Sequence, residues 1–126
     1  NIIRDALSQY TGEYIKDNAE LNSVCPFQPY RGFNVQRYEP NQCYHLSHTE
    51  NNGVYYERMM VWTIYLNTVT DGGGTYYPQY WKTIDAVEGR LVIWPAYWTH
   101  FHHGVVSKTQ TKYIATGWYI YNHINR

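Results

Sequence analysis

Charge of either sign is sparse and balanced in this chain. Ten Lys and Arg face ten Asp and Glu, and together they are 16% of the 126 residues. No basic block exists to track a phosphate backbone, so bulk electrostatics gives no argument for nucleic acid as a partner. Cysteine is nearly missing: Cys25 and Cys43 are the only two, and there is no C-x-x-C. A domain of this size needs no covalent staple, so two free thiols are the expectation, with pairing left open. No run approaches the roughly 18 apolar residues that span a bilayer, which removes a membrane helix. The first residues lack the pattern of a secretory leader, although the chain starts at Asn1 rather than Met, and a cytoplasmic location is the expectation. No Asp or Glu follows Glu88.

Aromatics are plentiful instead. They make up 18% of the chain, with 15 Tyr and 5 Trp, inside an apolar fraction of 44%. That balance is globular, the length suits one domain over residues 1–126, and aromatic side chains fit half-buried pleated surfaces. The spacing of Ile3, Leu7, Tyr10 and Tyr14 predicts a helix over about 2–16, capped by Asn1 with Asp5 in its first turn. Gly12 weakens its second half. After an irregular stretch with Pro26 and Pro29, alternation predicts strands from Gly32 to Tyr38 and from Tyr44 to Glu50. The run Arg58–Leu66 is apolar enough for a strand buried on both faces. Further strands are expected at 75–77, 90–94 and 112–121, with the histidine-bearing segment 98–106 between the last two. One helix followed by seven or eight short strands reads as all-β, a sandwich or barrel with a core over about 32–121.

Chemistry concentrates in Y-H-L-S-H-T-E, residues 44–50. On an extended chain His48 and Glu50 face the same way, about 6.5–7 Å apart. An imidazole and a carboxylate so placed are two parts of a 2-His-1-carboxylate metal site, which needs one more histidine. His100, His102 and His103 are the candidates. If that segment is a strand, His100 and His102 share a face and His103 opposes them. A self-contained His-x-His site at 100–102 fails for want of a carboxylate downstream. Read from residues alone, His48 and Glu50 could equally be a solvated polar face, and a zinc hydrolase would accept the same ligands.

The pieces V-Q-R-Y-E-P, H-T-E, I-Y-L-N, G-G-G-T-Y-Y-P, G-R-L-V-I-W-P, T-H-F-H-H-G and K-Y-I-A-T-G-W carry a further signal in their order and spacing. From about Gly32 to Tyr121 the chain resembles the prolyl 4-hydroxylase-like branch of the 2-oxoglutarate/Fe(II) dioxygenases, in particular short viral and bacterial members. The resemblance implies a double-stranded β-helix (a jelly roll, cupin-like), with the helix packed outside. It implies Fe(II) held by His48, Glu50 and His102. Glu50 stands where Asp is commoner. Lys112, ten positions after His102, would bind the distal carboxylate of 2-oxoglutarate. Tyr38, Tyr65 and Thr75 would line the same pocket, and Trp118 would wall it. His100 would sit beside the metal site or at the substrate mouth.

The activity so implied is hydroxylation of an unactivated C–H, using O₂ and 2-oxoglutarate and releasing succinate and CO₂. The substrate would be a peptidyl residue such as proline, or a small amino-acid-like molecule. The aromatic segments 76–81 and 97–101 could line a peptide groove or simply pack. A zinc hydrolase on the same triad and a non-catalytic jelly-roll binding module, its aromatic rings stacking on sugars, are the alternatives.

Overall fold

A computed structural model describes residues 1–122. Helix α1 spans Ile2–Asp17 and is capped by the Asn1 side chain, which accepts from the Ile3 amide at 3.2 Å. It runs straight through Gly12. A short α2, Leu21–Val24, follows. The strands are β1 (Phe27–Tyr38), β2 (Arg58–Tyr65), β3 (Thr75–Tyr77), β4 (Lys82–Ile84), β5 (Leu91–Pro95), β6 (His103–Gly104) and β7 (Lys112–Tyr121). Single 3-10 turns occupy Pro78–Tyr80 and Trp98–His100.

Two antiparallel sheets face each other. The larger has the order β1-β7-β2-β5 and the smaller β4-β3-β6. This is the jelly roll the sequence implied. Strand β2 is central and buried on both faces, as its unbroken apolar run predicts. Met60, Trp62 and Ile64 join Leu7, Phe27, Ala115 and Tyr119 in one cluster under α1. Val61 and Tyr65 point the other way, between the sheets. Strand β7 divides by the same rule. Its Tyr119 meets Phe27 edge to face at 5.8 Å and accepts or donates a hydroxyl bond with Thr11 at 2.6 Å. The opposite parity of β7, beginning at Lys112, lines the interior.

Four sequence expectations change. The α1 stripe does not include Tyr10, which is 44% exposed; Thr11 takes the sheet-facing position. Strand β1 begins at Phe27 rather than Gly32, because it is an edge strand and tolerates Pro29 at the cost of a register shift before Phe33. Strand β4 forms in what reads as a polar loop. Residues 44–50 are not a strand; the chain bends at Leu46 and again at Glu50. Among the described residues their one ladder contact is a bridge between His48 and His102. The Tyr44 carbonyl accepts from Gly104 at 2.8 Å, and the Glu50 and Asn51 amides both reach the Ala96 carbonyl. The segment crosses from β6 to the end of β5, so no single neighbour supplies a continuous ladder. Cys25 and Cys43 are both free thiols.

Gly117 lies on the outer parity of β7 against Trp62. A Cβ there would stand 2.5 Å from Trp62 Cζ2. Gly117→Ala is therefore expected to cost about 2 kcal/mol or more, read as a lowered urea midpoint at unchanged m-value. Gly72 and Gly73 turn with φ of +70° and +80°, and a Cβ on Gly72 would lie 2.1 Å from the Val106 carbonyl. The backbone of that turn packs directly against the loop leading to Lys112.

Candidate active site

His48 and His102 are neighbours across the bridge, with ring centroids 4.3 Å apart. Each Nδ1 faces a carbonyl oxygen: Leu46 at 2.9 Å for His48 and His100 at 3.1 Å for His102. A carbonyl can only accept, so Nδ1 carries the proton on both rings, and both Nε2 atoms are left to face inward. They meet the same atom, Glu50 Oε1, at 3.1 and 3.2 Å. All three ligand atoms lie within 4.8 Å of one another.

That contact does not balance by itself. A neutral imidazole Nε2 and a carboxylate oxygen are both acceptors, so a proton or a cation must stand between them. Burial opposes charge on His48, yet the bonds to Glu50 and the Leu46 carbonyl leave its pKa raised. Burial likewise favours the neutral Glu50 carboxyl, but with a proton shared between each histidine Nε2 and the carboxylate, and with the Trp118 N–H donating, the contacts hold it far below the usual carboxylate range. Two oriented imidazoles and one ionised carboxylate converging from one side fit a divalent metal ion with open positions opposite.

The cavity beside this group measures about 280 Å³ and lies between the sheets. Strand β7 lines it with Lys112, Ile114, Thr116 and Trp118, one parity of the strand. Tyr38, Tyr65 and Thr75 line it as well, so every residue expected at the co-substrate pocket borders one space. Tyr65 Oη bonds Thr75 Oγ1 at 2.6 Å. Tyr38 Oη donates to Gln36 at 2.8 Å, and its ring lies 5.2 Å from Lys112 Nζ. Lys112 is only 5% exposed, burial lowers its pKa, and no carboxylate among the described residues reaches it. A cation placed so, with a cavity in front of it, lacks an anion. Glu50 is the sole carboxylate lining the cavity among the described residues.

The remaining histidines stand apart. His100 is on a 3-10 turn, not on a strand face shared with His102. Its ring stacks beside Tyr80 at 5.0 Å, and only its carbonyl touches the site. His103 turns away toward Tyr76, 5.3 Å between rings. The aromatic segments 76–81 and 97–101 do not line the cavity. Gln79 ties them together through the Trp98 carbonyl and the Phe101 amide, both at 2.7 Å, leaving Trp81 and Trp98 on the surface. Sequence reasoning missed Arg58 altogether. Its guanidinium is stacked between the Tyr55 and Trp118 rings, 3.8 Å from each centroid, and Nη1 reaches Glu50 Oε2 at 3.4 Å. The one available signal was a cation opening an otherwise apolar run.

Comparison with solved structures finds the same architecture. The viral collagen prolyl hydroxylase of Paramecium Bursaria Chlorella virus-1, solved with 2-oxoglutarate, superposes with a TM-score of 0.73 at 20% identity, over 98% of this chain and 75% of that one. A Phytophthora capsici prolyl 4-hydroxylase gives 0.65 at 20% identity, over 88% and 41%. A Pseudomonas putida prolyl-4-hydroxylase gives 0.59 at 22%, over 73% and 54%. At such identities these likenesses establish the fold. Among curated protein sequences none matches significantly. Residues 33–120, however, match the sequence profile of the 2OG-Fe(II) oxygenase superfamily. That span takes in every residue lining the cavity and all three converging side chains, and the chain belongs to the 2OG-Fe(II) oxygenase superfamily as an Fe(II)- and 2-oxoglutarate-dependent enzyme.

Proposed function

We propose that this chain hydroxylates an unactivated C–H of a peptidyl residue, prolyl in the first instance, or of a small amino-acid-like molecule, with release of succinate and CO₂. The convergence of His48, Glu50 and His102 beside a cavity lined by Lys112, which meets no carboxylate among the described residues, carries the reading. In it, the three side chains hold Fe(II) and leave its other positions open. Bound Fe(II), with 2-oxoglutarate and O₂, supplies the oxidising chemistry. Lys112 pairs with the distal carboxylate of 2-oxoglutarate as a point charge. Tyr65, oriented by Thr75, donates to the same carboxylate, and Tyr38 closes the wall beside it. Thr63 and Thr116 bond each other at 3.1 Å, so that wall asks nothing of the ligand. The prolyl choice draws on the viral relative, a collagen prolyl hydroxylase.

A zinc hydrolase needs a general base beside its metal. The sole cavity carboxylate among the described residues, Glu50, is spent as a ligand in this geometry, which disfavours that alternative. A module that stacks its rings on neutral sugars does not account for a buried lysine that meets no carboxylate among the described residues.

The test is anaerobic addition of Fe(II) and then 2-oxoglutarate. A visible charge-transfer band is expected, absent in His102→Ala. A wild-type chain that gives no band sinks the proposal. Screening peptides and amino acids for substrate-stimulated succinate release then names the substrate. Tyr65→Phe is expected to raise KM for 2-oxoglutarate roughly 10-fold with a smaller change in kcat, the usual worth of one hydrogen bond to a charged group.

A further inference from the structure

Glu50 has a second oxygen, and it faces neither histidine. Trp118 Nε1 donates to Oε2 at 3.0 Å, and Arg58 Nη1 donates at 3.4 Å. Arg58 is itself held. Its planar group is sandwiched by Tyr55 and Trp118, its side chain is 19% exposed, and its carbonyl accepts from Asn51 Nδ2 at 2.9 Å. Oε1 therefore belongs to the histidine side and Oε2 to the Trp118–Arg58 side. We propose that Trp118 and Arg58 are positioning residues that pin Oε2 and restrict Glu50 to binding the metal through one oxygen.

The consequence is a matter of available positions. A carboxylate free to turn can chelate with both oxygens and occupy a position that the co-substrate or O₂ requires. Glu has one more rotatable bond than Asp, so its carboxylate plane is less determined by the backbone. Two donors fixed on one oxygen remove that freedom. The tryptophan supplies direction, and the guanidinium supplies charge in a partly desolvated place, where an ionised donor makes the stronger bond. Partners of this kind tune metal affinity without touching the ion.

The inference rests on the metal-site reading above, and its test separates the two. Co(II) is titrated into the chain, with affinity read by calorimetry and coordination read from the d–d absorption spectrum. Trp118→Phe keeps an aromatic face toward Arg58 but removes the N–H donor together with the second ring of the indole. It is expected to weaken Co(II) roughly 10-fold and to alter the d–d envelope. On a Glu50→Asp background, where the shorter side chain does not reach Trp118, the same substitution is expected to add nothing. Arg58→Gln is measured in parallel and carries the test if Trp118→Phe does not fold; Arg58→Lys is expected to restore affinity in part. Unchanged affinity and spectrum in folded Trp118→Phe, or equal losses on the Glu50 and Glu50→Asp backgrounds, would overturn the clamp while leaving the metal site standing. Failure of the wild-type chain to bind Co(II) would overturn both.

Discussion

Lys112→Met is expected to stabilise the ligand-free chain while abolishing its response to 2-oxoglutarate. Lys112 is buried, its pKa is lowered by desolvation, and among the described residues no carboxylate pairs with it. Burying an unpaired ammonium is costly. The Tyr38 ring 5.2 Å from Nζ offsets only part of that, since a cation over an aromatic face is worth about 0.5–2 kcal/mol. Replacing the ammonium by a thioether of similar length should therefore raise stability by about 1 kcal/mol. The pH profile has a defined sign. The folded pKa lies below the ordinary lysine value, so between the two the unfolded chain holds a proton that the folded chain lacks. Stability then rises as pH climbs through that window, and the rise is absent in Lys112→Met. For the co-substrate the effect reverses. Truncating one partner of a buried charge pair costs about 2–5 kcal/mol, so affinity for 2-oxoglutarate should fall on the order of 100-fold or more. Urea unfolding and a direct 2-oxoglutarate titration check the two halves. A variant less stable than wild type, or one that binds 2-oxoglutarate normally, removes Lys112 from the pocket floor.

The second large effect concerns the metal. Two imidazole Nε2 atoms meet one carboxylate oxygen, a contact that needs a proton or a cation between the atoms, and a divalent ion can take that place. Adding Mn(II), an inert stand-in for Fe(II), at about 100 times its Kd should stabilise the fold by about 2.7 kcal/mol. In a domain of this size that is a rise in Tm of roughly 10 °C. The shift should vanish in His102→Ala and in Glu50→Ala, and be reversed by chelator. Glu50→Ala should in addition lower the Tm without metal, because Arg58 and the Trp118 N–H lose their acceptor. The shift should also weaken as pH falls and protons compete for the imidazoles. A full Tm shift in His102→Ala would place the ion elsewhere.

How legible this site was depends on the range of the interaction that decides each part. The alternation of β7 is local. A period of two assigns Lys112, Ile114, Thr116 and Trp118 to one face, and all four line the cavity. The apolar run of β2 announces a strand buried on both sides, and so it is. The spacing of His48 and Glu50 predicts that both face one side, for a reason that holds only in part. His48 and Glu50 do meet, but the segment bends at Leu46 and Glu50, has no ladder and hangs between β6 and β5. The choice among His100, His102 and His103 was open on residue chemistry alone, and family resemblance favoured His102. In the structure His100 stands on a 3-10 turn and His103 faces Tyr76, while His102 meets the pair.

Composition and periodicity alone settled what neighbours along the chain can settle: a β-rich domain with one helix before the strands, which residues of β7 share a face, and a carboxylate lying upstream of the histidine cluster. Only the folded chain decided what Glu50 does with its second oxygen. Trp118 lies 68 positions away and Arg58 eight, and neither spacing obeys a local period. Their donors meet one carboxylate because two antiparallel strands and an irregular crossing segment place them there. A hydrogen bond is directional over about 3 Å, and no pattern of residue types specifies position that finely before the backbone has closed.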